Sequence, residues 1–403
     1  MWEQIRDNQV RSVVLVVTMG ILLLLIGFFI GYVFLGDPVS GIVIAIMVWV
    51  IMNLVALFEG DKIILEMSGA RKIGPDDHSR LYNVVEEMKI ASGLEKMPDV
   101  YIIDDPALNA FATGRGPDKA AIAVTSGMLD KLNRDELQGV VGHEMGHIKN
   151  RDIELMMLAS ILLGSIVILA YYATRVGLLG GFRGRRGSGE GGGAVMIIVI
   201  ILGLLVMILA PVMAQVIYFA VSRHREYLAD ASSALYTRYP EGLASALEKL
   251  ANNDTKVKAA NKATAPMYIS NPFYRGATST GGDIFATHPP LAERIRILRA
   301  MGGASYKDYE SSYRSVKNQG IIPASALALA GSDTVSLRQP STDAQPANAQ
   351  EKIGRVRETT DLLWKLNKYK SLTCGNCGAG MKLPPTYKEA NVRCPHCGFS
   401  NKV

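Results

Sequence analysis

Four long apolar runs constrain what this chain can fold into more than any other feature. They contain no charged residue and extend from Val13 to Gly36, Val39 to Phe58, Leu155 to Thr174 and Gly191 to Ser222. A helix needs about 20 apolar residues to cross the roughly 30 Å hydrocarbon core of a bilayer, and each run meets or approaches that length. With 49% hydrophobic residues, the chain is also too apolar for an ordinary soluble protein of two domains. The pattern predicts an α-helical membrane protein with a transmembrane hairpin over 1–59 and a second hairpin, spanning or re-entrant, over 155–222.

Two alternatives to membrane helices concern single runs. A cleaved signal peptide could account for the first run, and a buried core helix of a soluble domain could account for the third. The first run is long, lacks a clear small-residue cleavage site and is followed at once by the second run. A membrane hairpin is therefore favoured at the N-terminus.

The Lys and Arg residues near the ends of the runs indicate an orientation. Nine lie on the side that holds the N-terminus and the soluble segments, against four on the other side, which favours the first side as cytoplasmic. The four arginines of segment 175–186 argue the other way and favour a re-entrant second hairpin. The net charge of +6 lies mostly near the apolar runs and in flexible regions, which indicates contact with anionic lipid headgroups and not with nucleic acid.

The segments between the runs predict a mixed α+β domain in two parts, residues 60–154 and 223–330. Strands are predicted at 100–103, 109–113 and 120–125, with a turn at 114–117 joining the last two. Helices are predicted from Asp76 or Asp77 to about Lys89, and from Asn133 through the region of His143. Further helices are predicted over 223–236, over 240–252, and after Pro290 to about Ala300. Asn133 and Glu136 have the spacing of a capping box.

The segment His143-Glu144-Met145-Gly146-His147 lies in one of these helices. A spacing of four places both imidazoles on one helix face, where they can bind one tetrahedral metal ion. Glu144 points about 100° away, so its carboxylate is free to act as a general base on a water bound to zinc. A chance pattern on a solvated helix is the alternative, but the cluster lies among apolar residues where burying it without a metal would be costly.

A catalytic zinc site with an open position needs a third protein ligand, for which Glu226 is the candidate. Asp230 lies four residues later on the same helix face and can accept the other ring N–H of a zinc-bound histidine. A solvated charged turn is the alternative for this pair, and His224 is a rival ligand. His147 lies eight residues before the third run and Glu226 four residues after the fourth. At about 1.5 Å per residue, both ligands would lie within roughly 12 Å of the membrane boundary.

These residues resemble the HtpX-type membrane metalloproteases, which are related to the CAAX prenyl proteases. The similarity covers about residues 10 to 300 and includes the paired N-terminal helices, Asn109 to Gly114, the His143 motif, Glu226 with Asp230, and Thr287 to Pro290. It implies a zincin-like zinc endopeptidase with a cytoplasmic catalytic domain that degrades damaged or misassembled membrane proteins. Polypeptides, membrane proteins above all, are thus the expected substrates.

The resemblance implies two further roles. Residues Asn109, Ala110, Phe111 and Ala112 would form an edge strand that binds an extended substrate by strand addition, although an ordinary core strand is the alternative. His288 would lie near the metal and stabilise the oxyanion or occupy the fourth zinc position, although a loop residue or helix cap is the alternative.

The C-terminal region departs from that family. The composition of residues 331–356 predicts a disordered linker, and residues 357–403 contain all four cysteines of the chain. Cys374, Cys377, Cys394 and Cys397 form two Cys-x2-Cys pairs separated by sixteen residues, a pattern typical of a structural zinc ribbon. Two disulfides or a redox pair are the alternatives. We expect this second zinc ion to support an accessory binding module, and the sequence does not choose between substrate, a partner protein and nucleic acid as what it recruits.

Three functions remain open at this level. A zinc-dependent membrane endopeptidase is favoured by the intact Glu144 and three plausible ligands. A CAAX-type processing protease and an inactive membrane scaffold that binds partners through the ribbon are the alternatives. The sequence does not indicate an oligomeric state.

Overall fold

A computed structural model of the chain describes residues 2–32, 36–161, 223–258, 260, 264–270, 272, 288–323, 327–328, 335–341 and 349–403. The third apolar run beyond Ile161 and the whole fourth run lie outside the described residues. The predicted second hairpin and its arginine-rich loop therefore remain predictions.

The first two apolar runs form two long helices, α1 (Trp2–Ile30) and α2 (Pro38–Met67). Asp37 caps α2, since its carboxylate accepts hydrogen bonds from the backbone N–H groups of Val39 and Ser40. Both helices are long and apolar enough to cross a membrane, and most of their apolar side chains are exposed rather than packed in a core. This exposure argues against core helices of a soluble domain, because a soluble fold would bury such surfaces.

The helices of the hairpin approach closely at glycines. A Cβ atom added at Gly41 would lie 2.0 Å from the carbonyl oxygen of Gly27, so only glycine allows this contact between the backbones. Small residues at a helix crossing are typical of packing between helices in lipid, where van der Waals contact replaces the hydrophobic effect.

Among the described residues, the central domain contains a four-stranded sheet and several α-helices. The strands are β1 (Ala70–Lys72), β2 (Asp99–Ile103), β3 (Ala110–Gly114) and β4 (Ala120–Thr125). The helices are α3 (Ser79–Ser92), α4 (Ser126–Lys131), α5 (Arg134–Lys149), α6 (Arg223–Thr237), α7 (Pro240–Ala251), α8 (Leu291–Arg299) and α9 (Tyr306–Lys317). The sheet order is β1-β2-β4-β3, with β2 parallel to β4 and the other pairs antiparallel. Strand β3 therefore lies at an edge.

Helix α5 lies at the centre of this domain because three glycines let its neighbours approach. An added Cβ at Gly139 would lie 2.5 Å from the backbone nitrogen of Leu243 in α7. At Gly146 it would lie 3.1 Å from the Cα atom of Ala229 in α6, and Gly142 faces the same helix. The glycine within the His143 motif thus brings α6, with Glu226, against the two histidines.

Most predicted elements of the central domain are confirmed. The three strands and the helices from Asn133, over 223–236 and over 240–252, are present, and the capping box of Asn133 and Glu136 is complete. The predicted cap at Asp76 or Asp77 is wrong. His78 caps α3 instead, since its Nδ1 accepts a hydrogen bond from the Leu81 N–H, while Asp77 binds the Gly74 N–H.

The hairpin is attached to the central domain next to the end of α5. Residues 152–161 are helical and carry Met157, whose side chain lies against Gly60 of α2. A buried apolar cluster joins this helical segment to both α1 and α2; its members are Leu15, Met19, Ala56, Leu155, Leu158 and Ala159.

The region predicted as a disordered linker is ordered where it is described. The Arg338 guanidinium donates to Asp135, Gln138 and the carbonyl oxygen of Thr237, which fixes residues 335–341 on the central domain. Helix α10 (Ala349–Leu366) begins inside the predicted linker and packs on α4, with Leu362 buried in the main core. The prediction of disorder was wrong for residues 335–341 because composition does not reveal that Arg338 has a buried carboxylate partner.

Beyond α10 the chain forms two small hairpins. One pairs β5 (Lys370–Thr373) with β6 (Gly380–Leu383), and the other pairs β7 (Asn391–Arg393) with β8 (Ser400–Lys402). In each hairpin the turn between the two strands carries one cysteine pair, Cys374 with Cys377 in the first and Cys394 with Cys397 in the second.

Candidate metal centre

His143 and His147 of α5 and Glu226 of α6 converge in the interior. The Nε2 atoms of the two histidines lie 3.2 Å apart, and the Glu226 carboxylate lies 3.7 Å from His143 Nε2 and 3.4 Å from His147 Nε2. All three donor atoms lie within 4.8 Å of one another. Two imidazoles and one carboxylate at this separation fit a tetrahedral zinc ion that keeps one open position. The rival ligand His224 is exposed and is not part of the group.

Each histidine is oriented by its own carboxylate. His143 Nδ1 lies 2.9 Å from Asp230 Oδ1, which is the contact predicted for Asp230. His147 Nδ1 lies 3.0 Å from Oδ2 of Asp152, a residue that the sequence analysis missed. A carboxylate that accepts the Nδ1–H of a histidine orients the ring so that Nε2 faces the metal position, where it can bind the ion once the ring is neutral.

Arg294 of α8 is buried beneath the ligands and was also missed. Its guanidinium donates to both oxygens of Asp230 at 2.6 and 2.8 Å and approaches Glu226 at 3.3 Å. It therefore neutralises part of the negative charge of two buried acids, which would otherwise be costly in this setting. Burial alone would raise the pKa of Asp230, but the charge of Arg294 and the hydrogen bonds from His143 and Arg294 together outweigh burial and lower this pKa.

The charges of the two histidines differ because their surroundings differ. Burial lowers the pKa of His143 to about 4. Burial acts in the same direction on His147, but hydrogen bonds to Asp152 and Glu226 outweigh it and raise its pKa to about 10. A metal ligand must be the neutral imidazole, so metal binding at this site should release a proton.

Glu144 is buried next to the ligands with one carboxylate oxygen unused. Its Oε1 has no hydrogen-bond partner among the described residues, and the Ala112 backbone N–H bonds to the same carboxylate. Burial raises the pKa of Glu144 to about 7. An unused oxygen next to three metal donors is where a general base for a metal-activated water is needed.

His288 and the edge strand lie at the same centre. His288 is buried, bonds to the backbone of Tyr268 and lies in the field of Glu226 and His147; burial lowers its pKa. Phe111 of β3 packs edge-to-face on Tyr268, with ring centroids 5.1 Å apart.

The outer edge of β3 is partly occupied by the chain itself. The Ile269 N–H donates to the carbonyl oxygen of Ala110 at 3.0 Å, and the Asn109 side chain donates to the carbonyl oxygen of Ser270 at 3.0 Å. Arg294 donates to the carbonyl oxygen of Ile269. A substrate strand that pairs with Ala110 must therefore take the place of residues 269–270.

The four cysteines form a second group that could hold a metal ion. Sγ of Cys374 lies 3.6 Å from Sγ of Cys397, and Sγ of Cys377 lies 3.7 Å from Sγ of Cys394. Four thiolates at about 2.3 Å from zinc would be about 3.8 Å apart, so the spacing fits a tetrahedral ion. None of the four forms a disulfide, which removes that alternative from this structure.

The α+β domain and its first donor set define a class of protein, the metal-dependent peptidases. Comparison with known proteins agrees, because residues 75–302 match Peptidase family M48. A protease HtpX homolog from Dictyoglomus turgidum is 43% identical over 309 residues, covering 75% of this chain and 95% of that protein. Another from Streptococcus uberis is 40% identical over 301 residues, covering 75% of this chain and all of that protein. The crystal structure of S. mikatae Ste24p matches with a TM-score of 0.41 and 20% identity, over 74% of this chain and 67% of that one.

The chain belongs to peptidase family M48 and is a membrane-associated metalloprotease similar to the HtpX proteases. About a quarter of it has no counterpart in the relatives above, since nearly their whole length aligns with only three quarters of this chain. The match to the family ends at residue 302, before the four cysteines.

Proposed function

We propose that the protein is a zinc endopeptidase that cleaves misfolded or damaged membrane proteins at the cytoplasmic surface of the membrane. The observation that carries this proposal is the convergence of the metal donors of His143, His147 and Glu226, with the buried Glu144 interacting electrostatically with two of them and its Oε1 without a hydrogen-bond partner among the described residues. The exposed apolar hairpin supports the membrane location, because its helices pack on residues 152–161 directly after α5. This packing holds the three metal donors close to the membrane boundary, at the depth where the exposed apolar surface of α1 and α2 begins.

The roles of the chain's residues follow from their positions. Bound zinc supplies a Lewis acid for the scissile carbonyl and lowers the pKa of a coordinated water to roughly 7. Glu144 accepts a proton from the attacking water and can return it to the leaving amine. The buried His288 interacts electrostatically with Glu226 and His147, and its proposed role is to donate a hydrogen bond to the oxyanion.

Substrate binding is assigned to the edge strand. An unfolded segment can add to the outer edge of β3 in place of residues 269–270, through main-chain hydrogen bonds that recognise extended backbone and not a particular side chain. Such recognition suits a protease for unfolded chains. Glu144 bonds to the N–H of Ala112 in the same strand, so a paired substrate would lie beside the base.

The ribbon is assigned an accessory role. Its four thiolates would hold a structural zinc ion, and α10 fixes it to the central domain through the ion pair of Lys365 with Asp77 and the hydrogen bond from Arg355 to the carbonyl oxygen of Leu132. It would thus present a binding surface at a set position relative to the catalytic domain. Reduced thiolates fit a cytoplasmic location.

The substrate class can be tested with the detergent-purified full chain. We expect cleavage of casein and of a destabilised membrane protein, little cleavage of the same membrane protein in its folded form, and loss of activity on zinc removal with recovery when zinc is returned. A prenylated peptide with a C-terminal CAAX sequence serves as the control substrate. Cleavage confined to that peptide would favour the processing protease, and no cleavage by a zinc-loaded protein would favour the scaffold.

The pH dependence of cleavage should follow from Glu144. Burial raises the pKa of this carboxyl from 4.5 to about 7, while a bound dication pulls it down again. A general base works only when deprotonated, so activity falls as the pH drops through this pKa. We expect a pH profile of kcat/KM with an acid limb between these two values, and a profile that stays flat below pH 4.5 would contradict the assignment.

A further inference from the structure

Asn8 is a buried polar residue in the N-terminal helix. It lies in the first turns of α1, inside the window that is apolar enough to cross a membrane, and its exposed fraction is 5%. A buried amide is costly unless its hydrogen bonds are made. Its partners therefore show why this position is polar.

The partners of Asn8 belong to both helices that bear metal donors. Its Nδ2 donates to Oδ1 of Asp152 at 2.6 Å and to the carbonyl oxygen of Asn150, the C-cap of α5, at 3.1 Å. Its Oδ1 accepts a hydrogen bond from Nη1 of Arg225 at 3.0 Å, and Arg225 directly precedes Glu226 in α6. One amide thus links the end of α5 to the first turn of α6.

Through Asp152, a chain of hydrogen bonds connects Asn8 to the metal donor His147. Oδ1 of Asp152 accepts from Asn8, and its other oxygen, Oδ2, binds His147 Nδ1 at 3.0 Å. Arg225 also faces Asp152, with Nε 3.8 Å from Oδ1. Without Asn8 this carboxylate could turn towards Arg225, and its hold on the His147 ring would weaken.

We propose that Asn8 is a positioning residue for the metal centre, through which the N-terminal membrane helix fixes Asp152 and thereby the orientation of His147. The inference rests on the proposed zinc function. It makes α1 part of the catalytic apparatus and not only an anchor. Loss of a partner that orients a ligand typically weakens metal binding by 10- to 100-fold, and we expect about that effect here.

The test compares three variants of the full chain in detergent. Asn8→Ala removes the amide, and Asn8→Asp keeps its shape but replaces the donor with an acceptor that faces Asp152. Asn53→Ala is the matched control, since the hydrogen bond that the Asn53 side chain makes among the described residues lies within its own helix, to the Trp49 carbonyl oxygen. Zinc affinity of the histidine site is measured by chelator competition. Cobalt substitution separates the two sites, because thiolate-to-cobalt charge-transfer bands arise only from the cysteine group.

Weaker zinc binding by about 10- to 100-fold in both Asn8 variants, with the control near wild type, would support the proposal. A purely structural role predicts the opposite: lower melting temperatures with unchanged zinc affinity and an unchanged cobalt spectrum at the histidine site. That result would overturn it.

A double-mutant cycle covers the case in which an Asn8 variant folds poorly. Asp152→Ala alone should weaken zinc binding, and adding Asn8→Ala to it should weaken binding little further, because both act on the same contact. Additive effects would overturn the proposal. A wild type that holds no zinc at the histidines would overturn the proposed function as well, whereas zinc-loaded variants with normal affinity would overturn this inference alone.

Discussion

Glu144→Gln should abolish proteolysis while both metal groups stay occupied. The amide is close in shape to the carboxylate but cannot accept the proton of the attacking water. General-base catalysis is typically worth about 10²- to 10⁴-fold, so we expect kcat/KM on an unfolded substrate to fall by that factor. Metal analysis should still find an ion for each of the two donor groups, because Glu144 is not among the three donors of the first.

A surface carboxylate supplies the control for this experiment. Glu86 is exposed on α3, so Glu86→Gln removes the same charge without touching the centre and should leave activity near wild type. If the protease cleaves itself, purification of the Glu144 variant should also yield more full-length protein than purification of the wild type. Equal kcat/KM in the Glu144 variant and wild type would exclude Glu144 as the base.

The local parts of the centre were predictable because short-range rules determine them. A spacing of four on one helix places His143 and His147 together whatever surrounds them, and the capping box at Asn133 sets where that helix begins. The edge position of β3 was also expected, and the sheet order confirms it. The glycines of α5 were not given a role, since only the fold shows which helices press against them.

Asp152 was missed because a local backbone reversal brings it to its partner. Helix α5 ends at Asn150, and Arg151 adopts a left-handed conformation with φ of 59°. This turn directs the Asp152 carboxylate back to His147, five residues earlier. Few non-glycine residues adopt positive φ, so the sequence gives no reason to expect such a turn at an arginine.

Arg294 and Asn8 were missed for a different reason. Their partners lie 64 and 144 residues away along the chain, and only tertiary packing brings them together. In the sequence, Arg294 resembles any basic residue on an amphipathic helix. Asn8 lies before the first charge-free run, which begins at Val13, so the analysis of that run does not include it. A buried acid pair such as Glu226 and Asp230 requires a cation nearby, and this requirement is the feature of the sequence that points to a buried Arg or Lys such as Arg294.

These long-range contacts explain how metal donors from distant parts of the sequence, on α5 and α6, are held at one centre. Asp230 and Arg294 fix His143 from one side, while Asp152, Asn8 and Arg225 fix His147 from the other. Of these five residues, only Asn8 belongs to the N-terminal hairpin. Disturbance of the hairpin should therefore reach the His147 side of the centre first.

Glu226→Gln should remove zinc from the histidine site and with it the activity. The neutral amide is a poor zinc ligand, and direct ligands should matter more than their supporting partners, so we expect affinity to fall by at least about 100-fold. One ion should remain per chain, in the cysteine group. Excess zinc should restore part of the activity of this variant, whereas it should not rescue Glu144→Gln, because that variant lacks the base and not the metal.

His224→Ala is the matched control for the ligand assignment, since His224 was the rival candidate and lies exposed two residues before Glu226. It should keep full zinc content and activity, because its side chain is outside the donor group. The reverse result, with zinc lost from the His224 variant and retained by the Glu226 variant, would show that the ion is held by a different set of donors.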